Sequence, residues 1–98
     1  MGKMIAVIAK VRAKPGMAKA FVEMVTGVAR NVETVEQGNV FYRAYRTPDP
    51  QAFVAIEVYA DKAAHEAHMN SDHRAKAAGK VVELLDGAIE ADRLEQVW

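Results

Sequence analysis

Phe53-Val54-Ala55-Ile56-Glu57-Val58-Tyr59 is apolar on both of its alternating faces, and a strand of that kind has to be covered twice. Val54, Ile56 and Val58 share one face; Phe53, Ala55, Glu57 and Tyr59 share the other. Immediately upstream, Thr47-Pro48-Asp49-Pro50 is a turn, and Val40 to Arg46, with Phe41, Tyr42 and Tyr45, is rich in strand formers. So short a connection makes the two segments an antiparallel hairpin.

Working outward, Ala18, Phe21, Val22, Val25, Val28, Ala29 and Val32 recur at helical spacing, which predicts an amphipathic helix over about 16–35, opened by Lys14-Pro15-Gly16 and closed by a turn at Gly38. Residues 4–13 alternate as a strand, with Ile5, Val7, Ala9 and Val11 on one face. Downstream, Asp61 caps a short helix to residue 69 and Asn70-Ser71 restarts it. A stripe of Ala75, Ala78, Val81, Val82 and Leu85 then runs to Asp86-Gly87, and residues 88–97 form a last strand. The order βαββαβ, with right-handed crossovers, predicts a single domain over 1–98. It is a ferredoxin-like α+β sandwich whose helices share one face of an antiparallel sheet. The second apolar face of the Phe53–Tyr59 strand then has no helix to cover it, which predicts a homodimer packed sheet to sheet.

Composition narrows the function. Thirteen Lys and Arg balance thirteen Asp and Glu, so no basic surplus is available for nucleic acid. The absence of cysteine removes disulfides, thiolate metal centres and thiol nucleophiles. The apolar run Met4–Ala9 is broken by Lys10 and Arg12, too short for a membrane span, so a soluble cytoplasmic protein is expected. Glycines are isolated, which excludes a phosphate-cradling loop, and the only serine, Ser71, reads as a helix cap.

Two constellations remain. His65-Glu66-Ala67-His68 has one residue too few between its histidines for a zincin. With Asp72 and His73 a two-histidine, one-carboxylate site is conceivable, but the reading preferred is no metal, with His65 solvated and the other two structural. Glu57 on a half-buried face needs a partner, or its pKa rises toward that of a general base. It either lines a cavity together with Tyr59, or pairs with Arg43 or Arg46 on the neighbouring strand, or sits at a solvated edge.

The run from Phe53 through Glu57, Tyr59, Asp61, Ala64, His68 and Ser71 to His73 resembles the central signature of the antibiotic biosynthesis monooxygenase family, roughly F-x-x-x-E-x-[WY]-x-D-x-x-A-x-x-x-H-x-x-[ST]-x-H. Lys14-Pro15-Gly16 and Gly38–Tyr42 match the family's layout as well. The resemblance implies a dimeric α+β barrel and a monooxygenase that needs no cofactor, acting with dioxygen on a small phenolic or quinol-like substrate. It implies His68 as general base, Glu57 as a group orienting a histidine or the substrate, and Tyr59 as a hydrogen-bond partner of a substrate oxygen. Phe53 and Tyr42 would be apolar walls, and His73 and Arg43 further substrate contacts. Haem-degrading relatives carry Trp and an axial His where this chain has His68 and Ala78, so haem cleavage is not implied. The run resembles quinol monooxygenase-like and autoinducer-2-phosphate-processing members more than the haem-degrading ones. The autoinducer-2-phosphate-processing members imply an alternative, isomerisation of a small phosphorylated ketone, with Arg43, Arg46 and Arg74 as candidate phosphate contacts. A non-catalytic dimeric barrel that binds a small ligand is the third reading.

Overall fold

The computed structural model describes residues 3–98, and its elements run β1 (Ile5–Arg12), α1 (Ala18–Val35), β2 (Asn39–Arg46), β3 (Ala52–Tyr59), α2 (Lys62–Met69), α3 (Asp72–Leu84) and β4 (Glu90–Glu95). The strands form one antiparallel sheet in the order β2-β3-β1-β4, the ferredoxin-like arrangement expected from the order of elements. The second helical stretch is two helices. Asp61 caps α2 by accepting from the Ala64 amide at 2.8 Å, and Ser71 caps α3 by accepting from the Arg74 amide at 3.3 Å.

Register decides which side chains meet. Tyr59 stands opposite Ile5, Glu57 opposite Val7 and Tyr42, and Phe53 opposite Val11, so these residues share the helix-covered face. Phe21 and Val25 of α1 pack there with Ala13, Phe53 and Leu85, and the Phe21 and Phe53 rings lie 4.9 Å apart. This core fills the Phe53 end of the sandwich, and Ile5 and Tyr59, paired across the sheet at the other end, are buried as well. Beside α3 and β4 the layers are held apart, because α3 has no buried residue and β4 is exposed along its length. The stripe expected on α3 is met in part. Val81 packs on the core and Leu85 belongs to it, whereas Ala75, Ala78 and Val82 face solvent and Leu84 packs on the core in addition. Alanines all round this helix leave its phase open to sequence periodicity.

The outer face carries Ala6, Ile8, Phe41, Val54, Ile56, Val58 and Leu94, all by alternation from the inner residues. No helix of the described residues is long and apolar enough to cross a membrane.

Gly38 has a specific reason to be glycine, though not a turn conformation, since the positive-φ glycines among the described residues are Gly16 and Gly87. A Cβ at position 38 would lie 2.4 Å from the Ala64 Cβ. The missing side chain lets the α1–β2 turn sit against α2, the helix that carries His65 and His68.

Candidate functional site

Where the layers separate, a cavity of about 790 Å³ opens between the sheet, α1 and the α2–α3 pair. Ligand pockets are typically about 300–1,000 Å³, so a small aromatic molecule fits. Val7, Val28, Val32 and Ala55 supply apolar walls, while Tyr42, Glu57, His68, His73 and Arg74 gather polar groups around one part of the lining.

Glu57, His68 and His73, joined by Glu36 and Tyr59 from behind the wall, form a chain. Glu57 and His68 are both buried, and His68 Nε2 lies 3.7 Å from Glu57 Oε1. On its other side His68 Nδ1 meets Glu36 Oε2 at 2.7 Å, and the same oxygen meets His73 Nε2 at 2.5 Å. The Tyr59 hydroxyl donates to Glu57 Oε1 at 2.5 Å. When Nδ1 donates to the Glu36 carboxylate, Nε2 is the ring nitrogen left free, and it lies on the Glu57 side. An imidazole held in one tautomer by a carboxylate is a poised proton acceptor.

The surroundings tune these groups. Burial pushes the Glu57 carboxyl above its ordinary value, opposed by the Tyr59 hydrogen bond and by His68. Burial, reinforced by the Glu57 charge, raises the Tyr42 and Tyr59 hydroxyls, so both remain neutral donors. Burial lowers His65, and Arg93 lowers it further.

Not every residue singled out from the sequence reaches the cavity. His68, Glu57, Tyr42 and His73 line it. Tyr59 is wholly buried behind the wall, its ring 5.1 Å from that of His68 and its hydroxyl bound to Glu57, so it supports the carboxylate and does not face a ligand. Phe53, expected as a wall, belongs to the core at the far end; it lies four positions along the strand from Glu57, a distance of about 13 Å. Arg43, expected as a substrate contact, alternates with Tyr42 onto the outer face, stacks on Phe41 and reaches round the edge strand to pair with Glu33 of α1. Neither Arg43 nor Arg46 is the partner of Glu57. His65, expected to be solvated, is half-buried: its ring packs 5.1 Å from that of Tyr59 and it lines the cavity.

Glu36 is the residue that sequence reasoning missed. It is the C-cap of α1, where a negative charge opposes the helix dipole, and that unfavourable placement is the signal that something else holds it. It also changes the metal question. Glu36, His68 and His73 bring three ligating atoms within 4.8 Å of one another, a set that includes neither His65 nor Asp72.

A ferredoxin-like sandwich whose separated layers enclose a cavity, with a carboxylate-held histidine in its wall, is the scaffold of a small-molecule-binding protein. The chain belongs to the antibiotic biosynthesis monooxygenase family, whose sequence profile matches residues 4–80. Its fold is similar to that of a candidate antibiotic biosynthesis monooxygenase from Caulobacter crescentus, with a TM-score of 0.92 at 24% identity over 99% of this chain and 92% of that one. A second candidate member, from Nitrosomonas europaea, gives 0.89 at 20% identity over 100% of this chain and 94% of that one. A protein from Pseudomonas aeruginosa gives 0.86 at 26% identity over 100% and 98%. Among curated proteins no match is found.

Proposed function

We propose that this protein is a cofactor-independent monooxygenase of a small phenolic or quinol-like substrate, held in the cavity between sheet and helices. The observation that carries the reading is His68, fixed through Nδ1 by Glu36 and presenting Nε2 beside Glu57 in the cavity wall. The substrate itself supplies the electrons. His68 Nε2 takes the phenolic proton, and the resulting anion passes two electrons to dioxygen in single steps as a carbon–oxygen bond forms at an activated ring carbon. The peroxide anion recovers the proton from His68. Loss of the hydrogen on that carbon, with cleavage of the O–O bond, leaves a carbonyl and one water. One oxygen atom is retained and the other leaves in the water, with the two hydrogens accounted for.

The remaining groups have defined tasks. Tyr42 lies in the same wall, where its neutral hydroxyl can donate to a developing oxyanion, and Glu57 stands 3.7 Å from His68 Nε2. Tyr59 holds Glu57 in place. The apolar walls exclude water from the radical and peroxide stages. A second copy of the chain covers the outer sheet face, a reading supported by the seven apolar residues gathered there. The isomerase alternative has less support. Of the three arginines considered for a phosphate, Arg74 alone lines the cavity.

The test is oxygen uptake by metal-free protein with anthrone, run under ¹⁸O₂. The expected product is the anthraquinone carrying one labelled oxygen, and His68→Ala should slow the enzymatic rate by roughly 10²–10⁴-fold. Unchanged turnover in that variant would remove His68 as the base. Proton exchange into a phosphorylated ketone without oxygen consumption would replace the oxygenase with the isomerase.

A further inference from the structure

We propose that Glu36, His68 and His73 form a binding site for one divalent transition-metal ion of the zinc class, set in the polar part of the cavity wall. The donor set is the first reason: two imidazoles and one carboxylate are the ligands such an ion takes in sites that keep a position open. The placement is the second. Glu36 Oε2 lies 2.7 Å from His68 Nδ1 and 2.5 Å from His73 Nε2, so two N–H groups converge on one anionic oxygen. A single cation can take the place of those two hydrogens. Metal–ligand bonds of about 2.1 Å in tetrahedral geometry separate donors by about 3.4 Å, so the carboxylate has to withdraw by less than about 1 Å and the two imidazole nitrogens, within 4.8 Å of one another, have to close by no more than about 1.4 Å.

The scaffold is prepared for this. His68 lies in the last turn of α2 and His73 in the first turn of α3, and the junction is tied by the Ser71 hydroxyl and amide, which donate to the His68 carbonyl at 2.7 and 3.1 Å. A metal-bound histidine ordinarily gives its other N–H to a carboxylate, and Glu57 Oε1 stands 3.7 Å from His68 Nε2, itself held by Tyr59. His73 is partly exposed and lines the cavity, which leaves a route in and an open coordination position.

One consequence rests on the proposed base role. With Nδ1 bound to metal, the His68 proton moves to Nε2 and points at Glu57, so the imidazole no longer accepts a proton from substrate. Metal binding and base catalysis then exclude each other, and zinc acts as an inhibitor.

Chelator-stripped full-length protein is titrated with Co(II), read by the visible d–d absorption of four-coordinate cobalt, and with Zn(II) by calorimetry. One ion per chain is expected. Glu57→Gln should weaken binding by about 10–100-fold as an outer-sphere change, and His73→Ala and Glu36→Gln by more than that, with folding of each checked by circular dichroism. Asp72→Asn and His65→Ala should bind as the unmodified chain does. No stoichiometric binding by the folded unmodified chain overturns the proposal, as does binding that His73→Ala leaves intact or that Asp72→Asn abolishes. Because these readouts use no substrate, they stand apart from the oxygenase assay. Binding with undiminished oxygen uptake upholds the site and counts against His68 as base.

Discussion

Replacing Gly38 by Ala tests how the α1–β2 turn seats the helix that carries His68. The new Cβ falls 2.4 Å from the Ala64 Cβ and 3.4 Å from its Cα, whereas ordinary contacts begin near 3.4 Å. Turn and helix must therefore part by about 1 Å, and overpacking of this kind costs about 1–3 kcal/mol. Against that, Gly38 does not occupy the left-handed region, so alanine gains about 0.4–1 kcal/mol by restricting the unfolded chain. The clash wins because the neighbouring atoms belong to a helix rather than to a flexible tip. A net loss of about 1–2 kcal/mol follows, a fall in Tm of roughly 4–16 °C for a chain of this size. The partner substitution makes the argument specific. Ala64→Gly costs about 1 kcal/mol through helix propensity, but it removes the atom that clashes. The double variant should then be more stable than the sum of the singles by about 1–2 kcal/mol. Urea unfolding of all four proteins measures this, and oxygen uptake should follow the same pattern, because a shift of about 1 Å in His68 is enough to cost roughly 10²-fold in rate. Additivity within about 0.5 kcal/mol, or a Gly38→Ala protein as stable as its parent, would refute the reasoning.

Two further expectations follow from other parts of the molecule. Asp49 accepts from the Arg12 guanidinium at 2.5 Å and from the Gln51 amide at 3.0 Å, and these bonds hold its carboxyl below the usual range. A lowered folded-state pKa stabilises the protein above the unfolded value of about 4 and is lost as pH falls through the lowered one, so Asp49→Asn should flatten the acid limb of the stability curve. Unfolding curves of the two proteins that superimpose throughout the acid range would count against this. On the outer sheet face, Ile56 stands between Ile8 and Arg43, and Ile56→Lys should convert a dimer into a folded monomer. Sedimentation at low micromolar concentration decides it, and an unmodified chain that is already monomeric would remove the second copy from the account.

Much of the architecture was legible in the sequence, for a physical reason. Alternation along Phe53–Tyr59, the Thr47–Pro50 turn and the capping residues Asp61 and Ser71 are local, and local geometry leaves them little choice. The phase of α3 was not legible, because its alanines allow more than one buried side. The site was legible in part. Glu57, Tyr59 and His68 were found through strand parity and through likeness to a family signature, yet their roles relative to a ligand were not. Phe53 and Arg43 differ from Glu57 and Tyr42 only in position along a strand or in parity, and that difference places one in the core and the other on the outer face. Glu36 was invisible as a partner because 32 residues separate it from His68 along the chain. By itself, then, the sequence determined the elements, their order and the apolar faces of the strands and of α1, since those depend on neighbours a few residues away. Only the tertiary structure decided which carboxylate holds the histidine and where the layers part to leave a cavity, because both depend on how distant segments settle against one another.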